Sequence, residues 1–208
     1  MAGIAHTEDK HVLTNVNLDS PEVLIVVNVQ NDFCPGGRLA VEGAGTAMLA
    51  LYHWIGLAVK SGTMMVASRC WHPPRQVSYH ASYKERGGTW PQHCITDSRG
   101  ADFYSNLELS EEAIIVSKGA SSSKDIYSAF DDTGLGERLR RAGVRGVWIG
   151  GLAQDGCVRA SILDALAEGF ETYLIQNATR PANLKPDDGK RSIEEMLKSG
   201  AQLVDDRA

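Results

Sequence analysis

The chain has 208 residues, enough for one domain with a full core, and apolar and charged residues make up 43% and 23% of it, an ordinary balance for a soluble α/β protein. A net charge of −5 argues against nucleic acid as a partner. No apolar run approaches the ~20 residues that span a bilayer.

Residues 1–20 are polar and read as an N-terminal arm, with a single domain over 21–208. The arm lacks the basic and apolar regions of a signal peptide, so a cytoplasmic protein is expected. The four cysteines, Cys34, Cys70, Cys94 and Cys157, are then expected as free thiols, ligands or a nucleophile, not as disulfides.

In chain order, Val23–Val29 reads as a buried strand and Ala44–Lys60 as a helix. Strands follow at Met64–Ser68 and Ala113–Ser117, then a charge-laced helix at Gly134–Ala142 and a strand at Gly146–Ile149. A helix at Asp155–Glu168, a strand at Glu171–Gln176, a helix at Gly189–Lys198 and a strand at Gln202–Val204 complete the series. Strands alternating with helices predict right-handed βαβ units. Continuous apolar strands suit a mostly parallel sheet covered by helices on both faces, a three-layer α/β domain. The segment from Cys70 to Glu112 breaks the rhythm and carries His72, His80 and His93, half of the six histidines; a connection that long is usually functional.

In such sheets ligands sit beyond the carboxyl ends of the strands. Four strand ends deliver Asn28, Cys70-Trp71-His72, Lys118 and Cys157 to one edge. Cys157 follows Val147-Trp148-Ile149 and the pair Gly150-Gly151, which reads as a turn. Strand, turn, then cysteine in the first turn of a helix is how an α/β enzyme presents a thiol nucleophile. Gly36-Gly37 reads as another turn, and no phosphate-binding fingerprint is present.

Six ordered blocks carry a family resemblance. They are Val29-Gln30-Asn31-Asp32-Phe33-Cys34-Pro35-Gly36-Gly37, Trp71-His72-Pro73-Pro74, Trp90-Pro91-Gln92-His93-Cys94, Lys118-Gly119, Tyr127-Ser128-Ala129-Phe130 and Gly151-Leu152-Ala153-Gln154-Asp155-Gly156-Cys157-Val158. The chain resembles the nicotinamidase and isochorismatase-like cysteine hydrolases from about residue 22 to 204. The resemblance implies the isochorismatase-like hydrolase fold, a homo-oligomer, Cys157 as nucleophile and Lys118 as catalytic lysine. Phe33, Trp90 and Tyr127 fall where the family lines a pocket around an aromatic ring, and Ala153 and Gln154 belong to the turn before the nucleophile. Three positions differ. Asn28 stands where the family has its catalytic aspartate. Cys70 replaces the aspartate of the metal set, and Gln76 its middle histidine. Cys70, His72 and His93 remain as candidate ligands for a divalent metal such as zinc; His53 and His80 carry no ligand pattern.

An asparagine amide accepts and donates hydrogen bonds but takes no proton at working pH. Acid–base assistance is worth ~10²–10⁴ in rate, so Asn28 predicts weak turnover of simple amides. Loss of the carboxylate also removes a repulsion, so a Cys157 thiolate beside Lys118 is expected to form more readily. The residues therefore suggest a divergent cysteine hydrolase or acyl-transfer enzyme acting on a small cyclic or aromatic amide or carbonyl compound. Backbone N–H groups around Ala153 to Cys157 would hold the oxyanion, and Lys118 would stabilise charge. A catalytically silent relative that binds a small molecule or a partner protein is one alternative. An ordinary nicotinamidase is the other.

Overall fold

The computed structural model describes residues 21–75, 90–105, 107–121 and 124–205. The arm, Gln76 and His80 lie outside the described residues. Six strands form one sheet: β1 (Glu22–Val27), β2 (Met64–Cys70), β3 (Ile114–Lys118), β4 (Gly146–Leu152), β5 (Glu171–Arg180) and β6 (Gln202–Val204). The spatial order is β3-β2-β1-β4-β5-β6 and every pairing is parallel. The chain lays strands outward on one side of β1, then returns to lay β4 to β6 on the other. The reversal point lies between β1 and β4, where an open parallel sheet leaves a crevice at its carboxyl edge.

Val23 to Val27 and Val147 and Ile149 are fully buried, as the continuous apolar runs require of strands covered on both faces. Helix α1 (Ala44–Ser61) starts after Gly43 and stops at Gly62, both in the left-handed conformation. It packs on β4 and β5 through residues that include Leu51 and Trp54. The Trp54 and Trp148 rings lie 5.5 Å apart across that interface. Among the described residues the other α-helices are α2 (Leu135–Arg141), α3 (Arg159–Ala167) and α4 (Asp188–Lys198).

Two expectations change. Gly150 and Gly151 belong to β4 and do not form a turn. Their role is close approach: a Cβ on Gly151 would stand 2.0 Å from the Val27 carbonyl oxygen, so only glycine lets β4 lie against β1 there. The helix expected from Asp155 is divided. Gln154–Val158 is a π-helical turn with Gly156 off helical geometry, and the α-helix begins at Arg159. Cys157 therefore sits in the π-helical turn, the kind of local widening often found at functional sites.

Candidate active site

The site is assembled from the ends of four strands. Asn28 follows β1 in the left-handed region, φ 50°, a conformation Asn tolerates better than most residues. Its backbone N–H bonds to Ser68 O on the neighbouring strand at 2.9 Å. Cys70 and Lys118 are the final residues of β2 and β3 and stand opposite each other in register. Cys157 comes in from the π-helical turn after β4.

Gln30 fixes Cys70 from behind. Its side-chain Oε1 accepts the Cys70 N–H at 2.8 Å, and its Nε2 donates to Cys70 O at 2.7 Å and Ala101 O at 2.8 Å. Asp32 ties down the next loop by accepting the Cys94 N–H at 2.7 Å. Gly119 gives His72 its place: His72 Nδ1 lies 3.1 Å from Gly119 O, and a Cβ on Gly119 would fall 2.4 Å from the imidazole.

Lys118 is buried, and its ammonium meets two sulfurs, Cys70 Sγ at 3.1 Å and Cys157 Sγ at 3.3 Å. One ammonium thus holds the two sulfurs side by side. Asn28 Nδ2 donates to Cys70 Sγ at 3.4 Å, while Asn28 Oδ1 has no partner among the described residues. Charge on this pair settles on Cys70, which is nearer the ammonium and also receives the Asn28 N–H. Cys157 beside it, with Lys118 assisting against burial, draws Cys70 below the ordinary thiol range. Cys70 and then burial hold Cys157 well above it. Burial alone would lower Lys118, but the two sulfurs outweigh it and keep the ammonium charged. The expected easy Cys157 thiolate is thus corrected: a second thiol, unnoticed as a partner in the sequence, takes the charge first.

Both sulfurs open on one cavity. Phe33, Trp90, Tyr127 and Ala153 are on its wall, as expected, together with His72 and His93. Trp90 Nε1 donates to the Tyr127 hydroxyl at 3.0 Å, which fixes two aromatic walls against each other. Asn28 and Lys118 are not part of the wall; they reach the sulfurs instead. Gln154 does not line the cavity. It is buried, and its Nε2 donates to Gly189 O at 2.8 Å and Ser192 Oγ at 3.0 Å, bracing the π-helical turn on α4. The expected oxyanion donors are also reduced, because the Gly156 and Val158 N–H groups bond to Ala153 O at 3.1 and 3.2 Å.

Asp125 is a wall residue that sequence reasoning passed over. Burial and then Asp125 push the Tyr127 hydroxyl up. The only signal of Asp125 in the sequence was its place two residues before Tyr127-Ser128-Ala129-Phe130.

The candidate metal ligands divide. His72 and His93 face each other with ring centroids 5.2 Å apart, and each Nδ1 meets a backbone carbonyl, Gly119 O and Pro91 O, an orientation that suits a ligand pair. Burial pushes both imidazoles down, His93 to about 4, so both are neutral at pH 7. Cys70 does not join them. Its sulfur is turned to the Lys118 ammonium, which repels a cation at that position. Among the described residues no three His, Cys, Asp or Glu form a metal-holding group. The expected set does not fit a metal ion, and no step below is routed through one. His53 is exposed on α1.

A parallel sheet reversing between β1 and β4, with a buried lysine at the end of β3 and a thiol on the turn after β4, defines an isochorismatase-like cysteine hydrolase. The chain belongs to that family: the Isochorismatase domain matches residues 22–208. It is 34% identical over 203 residues to the nicotinamidase of Escherichia coli, covering 88% of this chain and 94% of that one. It is also 34% identical over 188 residues to the nicotinamidase/pyrazinamidase of Mycobacterium tuberculosis, covering 87% and 97%. The crystal structure of the pyrazinamidase of Pyrococcus horikoshii in complex with zinc matches with a TM-score of 0.81 and 41% identity, over 88% of this chain and 98% of that one. Among the described residues no helix is long and apolar enough to cross a membrane.

Proposed function

We propose that the protein is a thiol hydrolase of small aromatic amides, with nicotinamide, converted to nicotinate and ammonia, as the leading substrate. The observation that carries this reading is Lys118 Nζ 3.3 Å from Cys157 Sγ, with that sulfur on the wall of a cavity shared with Phe33, Trp90 and Tyr127. An aromatic ring packs between such side chains while its carboxamide faces the sulfur. Cys157 attacks the carbonyl carbon, ammonia leaves, and water releases the acid from the thioester. Lys118 offsets negative charge at the sulfurs and at the developing oxyanion. Asn28 positions Cys70 by its N–H and takes no proton. Cys70, held beside Cys157 by the shared Lys118 ammonium, accepts the Cys157 proton and returns it to the leaving nitrogen.

The activities of the named relatives support this ordinary reaction over the altered chemistry that Asn28 suggested from sequence. The test is ammonia release from nicotinamide and a panel of small cyclic and aromatic amides. Release should fall by at least ~10³-fold in Cys157→Ala. No release from any amide, with nicotinamide still bound, would overturn the proposal. That outcome would favour the binding protein, the reading to which the proton-inert Asn28 lends support.

A further inference from the structure

Hydrolysis of an amide needs one nucleophilic sulfur, yet this site holds two. Cys70 and Cys157 share the Lys118 ammonium at 3.1 and 3.3 Å and open on the same cavity. The other two cysteines differ. Cys34 and Cys94 are fully buried and neither lines the cavity. We propose that Cys70 and Cys157 form an oxidisable dithiol, which hydrogen peroxide or a small organic hydroperoxide converts to an intramolecular disulfide.

The chemistry balances in two steps. One sulfur, as thiolate, attacks an oxygen of the hydroperoxide; the S–O bond forms, the O–O bond breaks, and water or an alcohol leaves after taking up a proton. The cysteine is then a sulfenic acid. The second sulfur attacks the first, the S–S bond forms, the S–O bond breaks, and the hydroxyl departs as water with the second thiol's proton. In sum, two thiols are oxidised and one hydroperoxide is reduced. The Lys118 ammonium, in contact with both sulfurs, favours the attacking thiolate and stabilises the departing oxyanion.

Two further features fit. A disulfide requires the sulfurs to close to about 2.05 Å, so one cysteine must shift. Cys157 sits in a π-helical turn with Gly156 off helical geometry and nothing within 4 Å of a Cβ built there, so that segment has room to move. The cavity is small and largely apolar, with the Asp125 carboxylate on its wall, which selects a small neutral oxidant over a bulky or anionic one. The inference does not depend on amide hydrolysis, because its readout is the oxidation state of two side chains.

The experiment treats the fully reduced full-length chain with equimolar hydrogen peroxide, alkylates the remaining thiols, and maps the peptides by mass spectrometry without reduction. The expected product is a Cys70–Cys157 disulfide within one chain, two of the four thiols lost, and full recovery with dithiothreitol. With a second equivalent of peroxide, Cys70→Ser should instead carry Cys157 to the sulfinic acid, which dithiothreitol does not reverse. Sulfinic acid at either residue of the unaltered protein, pairing to Cys34 or Cys94, a link between chains, or no oxidation at Cys70 and Cys157 would each overturn the proposal. The result on the unaltered chain decides the matter whether or not the variant folds.

Discussion

Cys70 Sγ lies 3.1 Å from Lys118 Nζ, closer than the 3.3 Å of Cys157 Sγ, the proposed nucleophile. The lysine therefore serves two sulfurs, and the reactivity of Cys157 depends on what occupies position 70. Removing the Cys70 sulfur deletes the largest influence that raises the Cys157 thiol and leaves the ammonium to Cys157 alone. Cys70→Ala should increase alkylation of Cys157 by iodoacetamide at pH 7 by roughly tenfold, one unit of pKa. Peptide mapping of the labelled chain measures it; slower labelling would mean that the two thiols do not compete.

Asn28→Asp places a carboxylate where an N–H now donates to Cys70 Sγ. It supplies a proton acceptor, so ammonia release from nicotinamide should rise, by ~10² or more in kcat. It also sets a negative group against the Cys70 sulfur, so the first thiolate of the pair should form at higher pH. Thiolate absorbance against pH checks the second effect independently of turnover.

Gly119→Ala should destabilise the fold by about 2 kcal/mol or more, because φ is +76° and the new Cβ would lie 2.4 Å from the His72 ring. For a chain of this size that lowers Tm by about 4–8 °C. Thermal unfolding with circular dichroism reads it directly.

Acid should weaken the protein below neutrality through His93. Burial holds its folded-state value to about 4, whereas an exposed histidine titrates near 6.5. Between those limits the unfolded chain binds a proton that the folded chain does not. Stability is therefore complete above ~6.5, falls as the pH drops, and has lost about 3 kcal/mol from this group once the pH reaches ~4. His72 is shifted in the same direction, again by burial. Urea unfolding at several pH values should show this slope, and His93→Gln should flatten it.

Much of the scaffold was legible because apolar runs and glycine punctuation are local signals. Each expected strand appears, and β3 and β6 lie within one residue of expectation. The misses were at strand ends. β4 extends to Leu152 because Gly150 and Gly151 can lie flat against β1, and β5 runs to Arg180 because it continues pairing with that extension, as Gly151 with Thr179 and Leu152 with Arg180. Neither partner strand is visible from local sequence. The helix expected from Asp155 was divided for a similar reason: Gln154 is anchored to α4, a contact 35 and 38 residues away.

The sequence by itself determined the sheet, the carboxyl edge on which chemistry would gather, and Asn28, Cys70, Lys118 and Cys157 as the residues arriving there, since each follows a strand whose apolar pattern is written in the chain. Only the tertiary structure decided which atoms meet. Cys70 and Cys157 are 87 positions apart in the numbering, and no periodicity relates them. β1 lies between their strands, and the register of β2 with β3 sets Cys70 opposite Lys118. That placement makes a residue expected to bind metal into the sulfur that holds the charge, because a buried ammonium at 3.1 Å favours a thiolate and excludes a cation.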